Sequence, residues 1–406
     1  MRLASRLLIF SLLIPTPAQL AAQHSGFGVQ VSGRAIAAYT RMDPIPGGSS
    51  LSEIRVVQPV VMVQANAFGG RIMFLGSVSL EGWTIPDGEL SPGSFGEGFV
   101  DRRHPHTYFH EIMLHSGDVL GSLDGDLRLS LSAGKGFVAF GTDDPMSRPT
   151  VRYPVNHHFS QILERAVGIA GVAYGPVMVE GSLFNGDEPE SPGQWPVFDR
   201  FGDSWAVRGT LLPVQGVEVQ LSRAGVQSPE HRGGAGTESE KWNASARFQR
   251  QVKGLPVYAM VEWAKTSEAE GFFVFQSYLA EAEARPGRHR PYYRFERTER
   301  PEEERTLNPF RSRRPHLENS IHGITRWTLH TLGYGYSAVA TRSGFNVEPF
   351  FEVTYARPTR LGGLFLPEPF YGGTSIWAGT IGFRLDWRMA GHRMGRYGVA
   401  YNRHSH

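Results

Sequence analysis

Apolar and polar residues alternate with a period of two along most of this 406-residue chain, and few folds accommodate that pattern for so long. Leu127, Leu129 and Leu131 alternate with Arg128, Ser130 and Ser132; Val217, Val219 and Leu221 alternate with Glu218, Gln220 and Ser222. Trp242, Ala244, Ala246 and Phe248 alternate with Asn243, Ser245, Arg247 and Gln249. Trp377, Ile381, Phe383, Leu385 and Trp387 do so with Thr380, Arg384 and Asp386. Successive side chains of a strand point to opposite faces, so each segment is a strand with one greasy and one wet face. Strands are predicted near 26–40, 53–67, 71–82, 106–116, 124–133, 165–174, 177–186, 203–212, 216–224, 241–252, 255–265, 271–282, 288–298, 320–333, 346–357 and 375–387.

The connections are sorted by length. Those after even-numbered strands are mostly tight (68–70, 175–176, 213–215, 252–253), whereas those after odd-numbered strands are mostly long (83–105, 134–164, 187–202, 225–240, 299–319, 358–374). The main exception is 266–270, which is short where a long loop is expected. A sandwich or propeller has no reason to sort its loops this way. The pattern predicts an all-β fold, a transmembrane antiparallel up-and-down β-barrel of about 16 strands in the bacterial outer membrane, turns periplasmic and loops outside. Apolar faces then meet lipid and polar faces line the lumen. Trp83, Trp195, Trp263, Trp327 and Trp377, near strand ends, read as interfacial girdle.

The first residues agree with export. Arg2 and Arg6 precede an apolar run from Leu7 to Ile14 and a small-residue exit at 18–22, which predicts a cleaved signal peptide over 1–22. The run is too short to span a bilayer as a helix. The barrel is assigned to 23–387, ending on FRLDW, and 388–406 to a periplasmic extension or, less favoured, an additional strand near 396–401. Cysteine is absent, which excludes disulfides and thiolate chemistry. Without Arg2 and Arg6 the chain has 39 basic and 39 acidic residues, so there is no global basic field for nucleic acid. The arginine-rich stretch 285–314 reads as a hydrated, salt-bridged loop, or else as a contact for lipopolysaccharide phosphates.

Two long loops carry the residues with chemical potential. One holds Asp101, Arg102, His104, His106, His110 and Glu111; the other holds Asp143, Asp144, Met146, Arg148, Arg152, His157 and His158. The second is long enough to fold into the lumen as a constriction. Asp101, Arg102, Glu111, Asp143, Asp144, Arg148 and Arg152 are candidates for that constriction, with Arg128, Glu218, Arg247, Glu348, Glu352 and Arg384 on the lumen wall. Imidazole and thioether groups suit a divalent or cuprous metal, which makes His104, His106, Met146, His157 and His158 a candidate metal set. The plainer reading is that these residues hydrogen-bond a folded loop to the barrel wall. Enzyme templates fail: His110 and His115 are five apart rather than four, and Ser204 has no evident His/Asp partner, so no catalytic residue or cofactor is expected.

Taken together, DRRHPHTYFHE at 101–111, DPMSRP at 144–149, PVNHH at 154–158 and SLFNGDEPE at 182–190 resemble a family of Gram-negative, porin-like outer-membrane barrels. The resemblance covers roughly 98–230. By position it carries over Asp101, Arg102, His104, Pro105, His106, Glu111, Met146, Arg148, Pro149, His157 and His158. It implies a porin-like barrel without established catalysis, and some relatives lie near heavy-metal resistance genes. The expected function is passive passage of small solutes or ions through a loop-constricted lumen. The alternative is a non-conducting barrel whose loops bind metal ions, lipopolysaccharide or a partner. Monomer and homotrimer both fit.

Overall fold

A computed structural model describes residues 27–43, 50–86, 89–93, 106–119, 125–189, 191–229, 232–303, 321–389 and 393–401. The signal peptide expected over 1–22 lies outside them. From the N-terminus the strands are β1 (Gly28–Asp43), β2 (Leu51–Ala67), β3 (Ile72–Ser79), β4 (Phe109–Ser116), β5 (Leu127–Gly136) and β6 (Arg165–Tyr174). They continue with β7 (Val177–Phe184), β8 (Ser204–Leu211), β9 (Val217–Gln227), β10 (Glu238–Val252), β11 (Leu255–Glu268) and β12 (Phe273–Ala284). Next are β13 (His289–Glu303), β14 (Ile321–Tyr336), a two-residue β15 (Val339–Ala340), β16 (Phe345–Gly363) and β17 (Ile376–Trp387). β15 belongs to the turn between β14 and β16, which pair directly.

Every barrel strand pairs antiparallel with its neighbours, and β17 returns to β1 from Gly33↔Trp387 to Asp43↔Trp377. That pairing closes a wall of sixteen strands. Closure removes both sheet edges, so the backbone of the wall is satisfied without water, as a lipid-embedded sheet requires. The outer face is greasy: Leu131 is 58% exposed and Ile381 60%. Side chains like these, repeated around a closed wall, are stable only against acyl chains.

The inner face is not uniformly polar, and here the structure corrects the expectation. Ile36, Met62, Leu75 and Met113 on β1–β4 face inward and are buried. They form an apolar lining that packs against chain inside the barrel. Two bulges adjust the pleat. Between Arg34 and Ile36 the β1–β2 register shifts, and Gln58 on β2 takes a positive φ of 51°. Between Ser77 and Val78 the β3–β4 register shifts, which leaves His110 as the extra residue, so that it and Glu111 are both buried inside.

Candidate functional site: the occupied lumen

Residues 137–164, between β5 and β6, fold into the barrel and are described throughout. Gly141, at φ +63°, allows the arms of this loop to touch, since a Cβ there would stand 1.7 Å from the Ser160 carbonyl oxygen. Asp144 caps a 3₁₀ turn (Pro145–Ser147) by accepting the Met146 N–H at 2.6 Å, and a single helical turn spans His157–Ser160. The loop has no strand partner, so wall side chains satisfy its backbone. The Gly141 N–H donates to Ser222 Oγ of β9 (2.9 Å), and the Val155 N–H donates to Glu296 of β13 (2.6 Å). The Val151 N–H donates to Glu352 of β16 (2.7 Å). The Pro149 carbonyl accepts from Arg290 of β13 (2.9 Å) and Arg384 of β17 (2.7 Å), and the Arg152 carbonyl accepts from Arg294 (2.9 Å). Gln58 of β2 donates to the Val151 carbonyl (2.9 Å), and Arg34 of β1 donates to the Met146 carbonyl. Asn156 donates to Glu262 of β11 (2.8 Å), and Arg152 pairs with Glu296. The loop is therefore anchored on both sides of the lumen.

The tail enters from the other end. Residues 393–401 form no strand and do not lie outside the barrel: a short 3₁₀ turn, Gly398–Ala400, packs against β5 and β6. The Val399 N–H donates to Ser130 Oγ (2.9 Å), the Gly398 N–H to His115 Nδ1 (3.1 Å), and Tyr397 Oη to Glu111 (2.5 Å). Tyr397 and Met394 join the apolar cluster of Met113, Phe137 and Met146. Above them Arg393 and Arg396 reach Asp143 of the loop at 2.6 and 2.8 Å, and Glu218 of β9 at 2.8 and 3.4 Å; Arg247 also pairs with Asp143. Burial on its own raises the pKa of the Asp143 carboxyl, but the guanidinium groups of Arg393, Arg247 and Arg396 outweigh it and hold Asp143 well below the usual carboxylate range.

A third cluster ties the loop to the outer rim. His106 Nδ1 lies 2.8 Å from Glu81, in the helical turn α1 (Glu81–Thr84), and Tyr153 Oη donates to the same carboxylate at 3.1 Å. His110 lies 2.8 Å from Glu164 and 3.5 Å from Asp144. Burial works to lower the His106 pKa, yet the Glu81 carboxylate more than offsets it and the imidazole titrates higher than usual. Between the loop and the β1–β2–β16–β17 wall runs a cleft of ≈ 20 Å³, lined by Thr40, Glu53, Arg55, Glu89, Arg152, Glu352, Thr354 and Thr380 together with the apolar Ala38, Val57, Leu90, Pro92, Val151 and Ala378. That is room for about one water, given that one needs roughly 10–15 Å³. Burial pushes the Glu89 carboxyl up to about 8.

The predicted residues divide unevenly. Asp101, Arg102 and His104 lie outside the described residues. Glu111, Asp143, Asp144, Arg148 and Arg152 are buried inside the barrel, as are the wall residues Arg128, Glu218, Glu348, Glu352 and Arg384. Of the metal candidates His104 lies outside the described residues, and among those residues no three His, Cys, Asp or Glu side chains are placed to hold an ion. Met146 is buried in the apolar cluster, and His157 hydrogen-bonds the Pro154 carbonyl at 2.9 Å. The 285–314 stretch is also only partly a loop, because Arg290, Arg294 and Glu296 are inward-facing residues of β13 with exposures of 0–2%. Trp327, expected in the girdle, is fully buried inside and donates to Thr325 Oγ1 at 3.1 Å. Glu81, Tyr153, Glu164 and Glu262 were missed, and only their inclusion in long polar loops or alternating strands could have signalled them.

Two solved structures share the architecture. An anion-selective porin from Comamonas acidovorans aligns with TM-score 0.53 and 10% identity over 89% of this chain and 100% of its own. The trimer form of OmpT, an outer membrane protein of Vibrio cholerae, aligns with TM-score 0.51 and 8% identity over the same shares. This chain has the porin fold. No family model matches it, and neither does any curated protein. Its lipid-facing exterior and closed wall place this porin-fold barrel in the bacterial outer membrane.

Proposed function

We propose that this barrel is a narrow, passive outer-membrane pore for ions and small solutes, with 137–164 as its constriction. One observation carries the reading. The loop is suspended across the lumen by side-chain hydrogen bonds and ion pairs, with no strand pairing, beside a cleft that holds Glu53, Arg55, Glu89, Arg152 and Glu352 among apolar side chains. Paired guanidinium and carboxylate groups there offer both signs of charge along the path, as small hydrated ions require. Its outer wall meets outer-membrane lipid, lipopolysaccharide included, and the barrel acts as a monomer or homotrimer.

A second reading, a sealed barrel, is favoured by the tail, which occupies the lumen beneath the loop. Planar-bilayer recording on the full exported chain and on a variant ending at Trp387 separates the two. Small unitary steps from the full chain, enlarged in the truncation, are expected. Silence from both, with the barrel folded, removes the pore.

A further inference from the structure

We propose that the wall parts sideways between β4 and β5, and that small aromatic molecules pass there between the lumen and the surrounding lipid. Among the described residues this seam has the shortest pairing of any two barrel strands. β4 and β5 share four residue pairs, from Ile112↔Lys135 to His115↔Ser132, whereas the seams on either side, β3–β4 and β5–β6, have seven and ten. Side chains hold the strands together beyond that ladder. On the turn side the Leu131 N–H donates to Ser116 Oγ (2.9 Å) and the Leu129 N–H to Asp118 (3.1 Å). On the loop side Lys135 Nζ of β5 donates to the Phe109 carbonyl of β4. The Phe137 N–H, where the chain leaves β5 for the lumen, donates to Tyr397 Oη at 3.1 Å, and the same hydroxyl donates to Glu111 of β4. Tyr397 is thus a pin across the seam, supplied by the tail.

In lipid every backbone polar group must keep a partner, so a sheet parts most readily where the fewest ladder bonds are lost. Here both faces of that place are apolar. Outside, Leu114 is 56% exposed, and the Phe109 and Trp195 rings lie with centroids 5.6 Å apart. Inside, Met113 of β4 and Phe137 are buried in one cluster with Met62, Leu75 and Met146. Gly134, the partner of Met113, is exposed and brings no side chain to cover the seam at that level. A polar lumen face sets a barrier between a solute inside and the acyl chains outside. At this seam a molecule leaving the cluster for lipid exchanges one apolar surrounding for another, and little free energy opposes it. The lining also selects the solute. Thioether sulfurs make favourable contacts with ring edges, so Met62, Met113 and Met146 beside Phe137 suit an aromatic ring better than an alkyl chain. This route goes beyond the pore reading and does not need ions to cross the lumen.

The chain has no cysteine, so introduced thiols can lock a chosen seam on demand. Leu114 and Ala133 are opposed across β4–β5, and Val172 and Val179 across β6–β7. The assay is entry of N-phenylnaphthylamine, an aromatic probe that fluoresces in lipid, into intact cells carrying the full chain in the outer membrane. Entry several times faster than in cells without the barrel is expected. The oxidised Leu114→Cys/Ala133→Cys variant should lose that acceleration and regain it on reduction, whereas Val172→Cys/Val179→Cys should keep it in both states. Tyr397→Phe removes the pin and its bond to a buried carboxylate, and should speed entry about tenfold. No acceleration by the folded parent, or equal rates in the oxidised and reduced β4–β5 variant once its disulfide is confirmed by gel mobility, overturns the proposal. Equal slowing by both cross-links also overturns it, since stiffness of the whole wall would then matter and not this seam. Ionic conductance of the oxidised β4–β5 variant should match the parent, so failure here is separable from failure of the pore reading.

Discussion

Neutralising Asp143 asks whether the constriction and the tail hold each other in place. In the folded chain this carboxylate receives Arg247 of the wall and Arg393 and Arg396 of the tail, with Glu218 sharing the last two. Asp143→Asn keeps the volume and leaves three cations around one remaining carboxylate. Breaking a buried ion pair by removing one partner costs about 3–5 kcal/mol. Arg393 and Arg247 are about one-tenth exposed, which favours the lower end of that range. At ~1.4 kcal/mol per tenfold, roughly 3 kcal/mol raises the population with loop and tail released by about a hundredfold. The wall itself should persist, because sixteen paired strands do not depend on this contact. Single-channel records at neutral pH would show the large-conductance state occupied far more often than in the parent. Adding Arg393→Gln restores the charge balance and should recover part of the closed occupancy, the coupling a double-mutant cycle isolates. Parent-like occupancy in Asp143→Asn, with the barrel still folded by its heat-modifiable gel mobility, would refute the reasoning.

Two further outcomes follow from the loop. Gly141→Ala sets a methyl group 1.7 Å from the Ser160 carbonyl at a φ few L-residues adopt, so the arms must part; trypsin should then cut after Arg152 in the folded barrel, where the parent resists. Glu89 is held neutral by burial up to about pH 8, above the ordinary 4.5. Between those values the folded state binds the extra proton, so its contribution to stability is lost as pH rises through the window, the reverse of a salt-bridged carboxylate. Hydrogen exchange at the Tyr153 amide, which donates to Glu89 at 3.1 Å, should quicken with pH beyond the intrinsic rate, and Glu89→Gln should abolish that excess.

The wall was legible in the sequence because a strand half-buried in lipid writes its two faces as alternation. Both boundaries of β6 follow from that alone, and β7 begins where the alternation predicts but ends two residues sooner. Closure and strand number followed from the sorted connections. Parity failed where the pleat changes. Counting by twos cannot place both His110 and Glu111 inside, but the β3–β4 bulge does so. It failed also where both faces are apolar, as at Met62 and Leu75, since nothing in PVVMV or IMFLG says which side meets lipid and which meets a loop. The tail misled for a related reason. Arg393, Arg396 and Tyr397 look solvent-seeking, and only the buried carboxylates at Asp143, Glu218 and Glu111 make an interior position favourable for them.

The same groups therefore have two linked roles. A loop inside a barrel brings carbonyls and N–H groups into a space without strand partners, and each must be matched. Here the wall matches them with Arg290, Arg294, Arg384, Glu296 and Glu352, long charged side chains that reach across the lumen. Once the loop is displaced, those side chains face water and become the lining of a wider path. On the proposed pore reading, stability of the loop in the lumen and width of the path are then opposed by construction. Any substitution that weakens a loop anchor without harming the wall should raise conductance, and its effect should grow with the number of loop groups that the anchor satisfies. By that measure Glu296, which holds both Arg152 and the Val155 amide, outranks Glu352, whose loop contact is the Val151 amide.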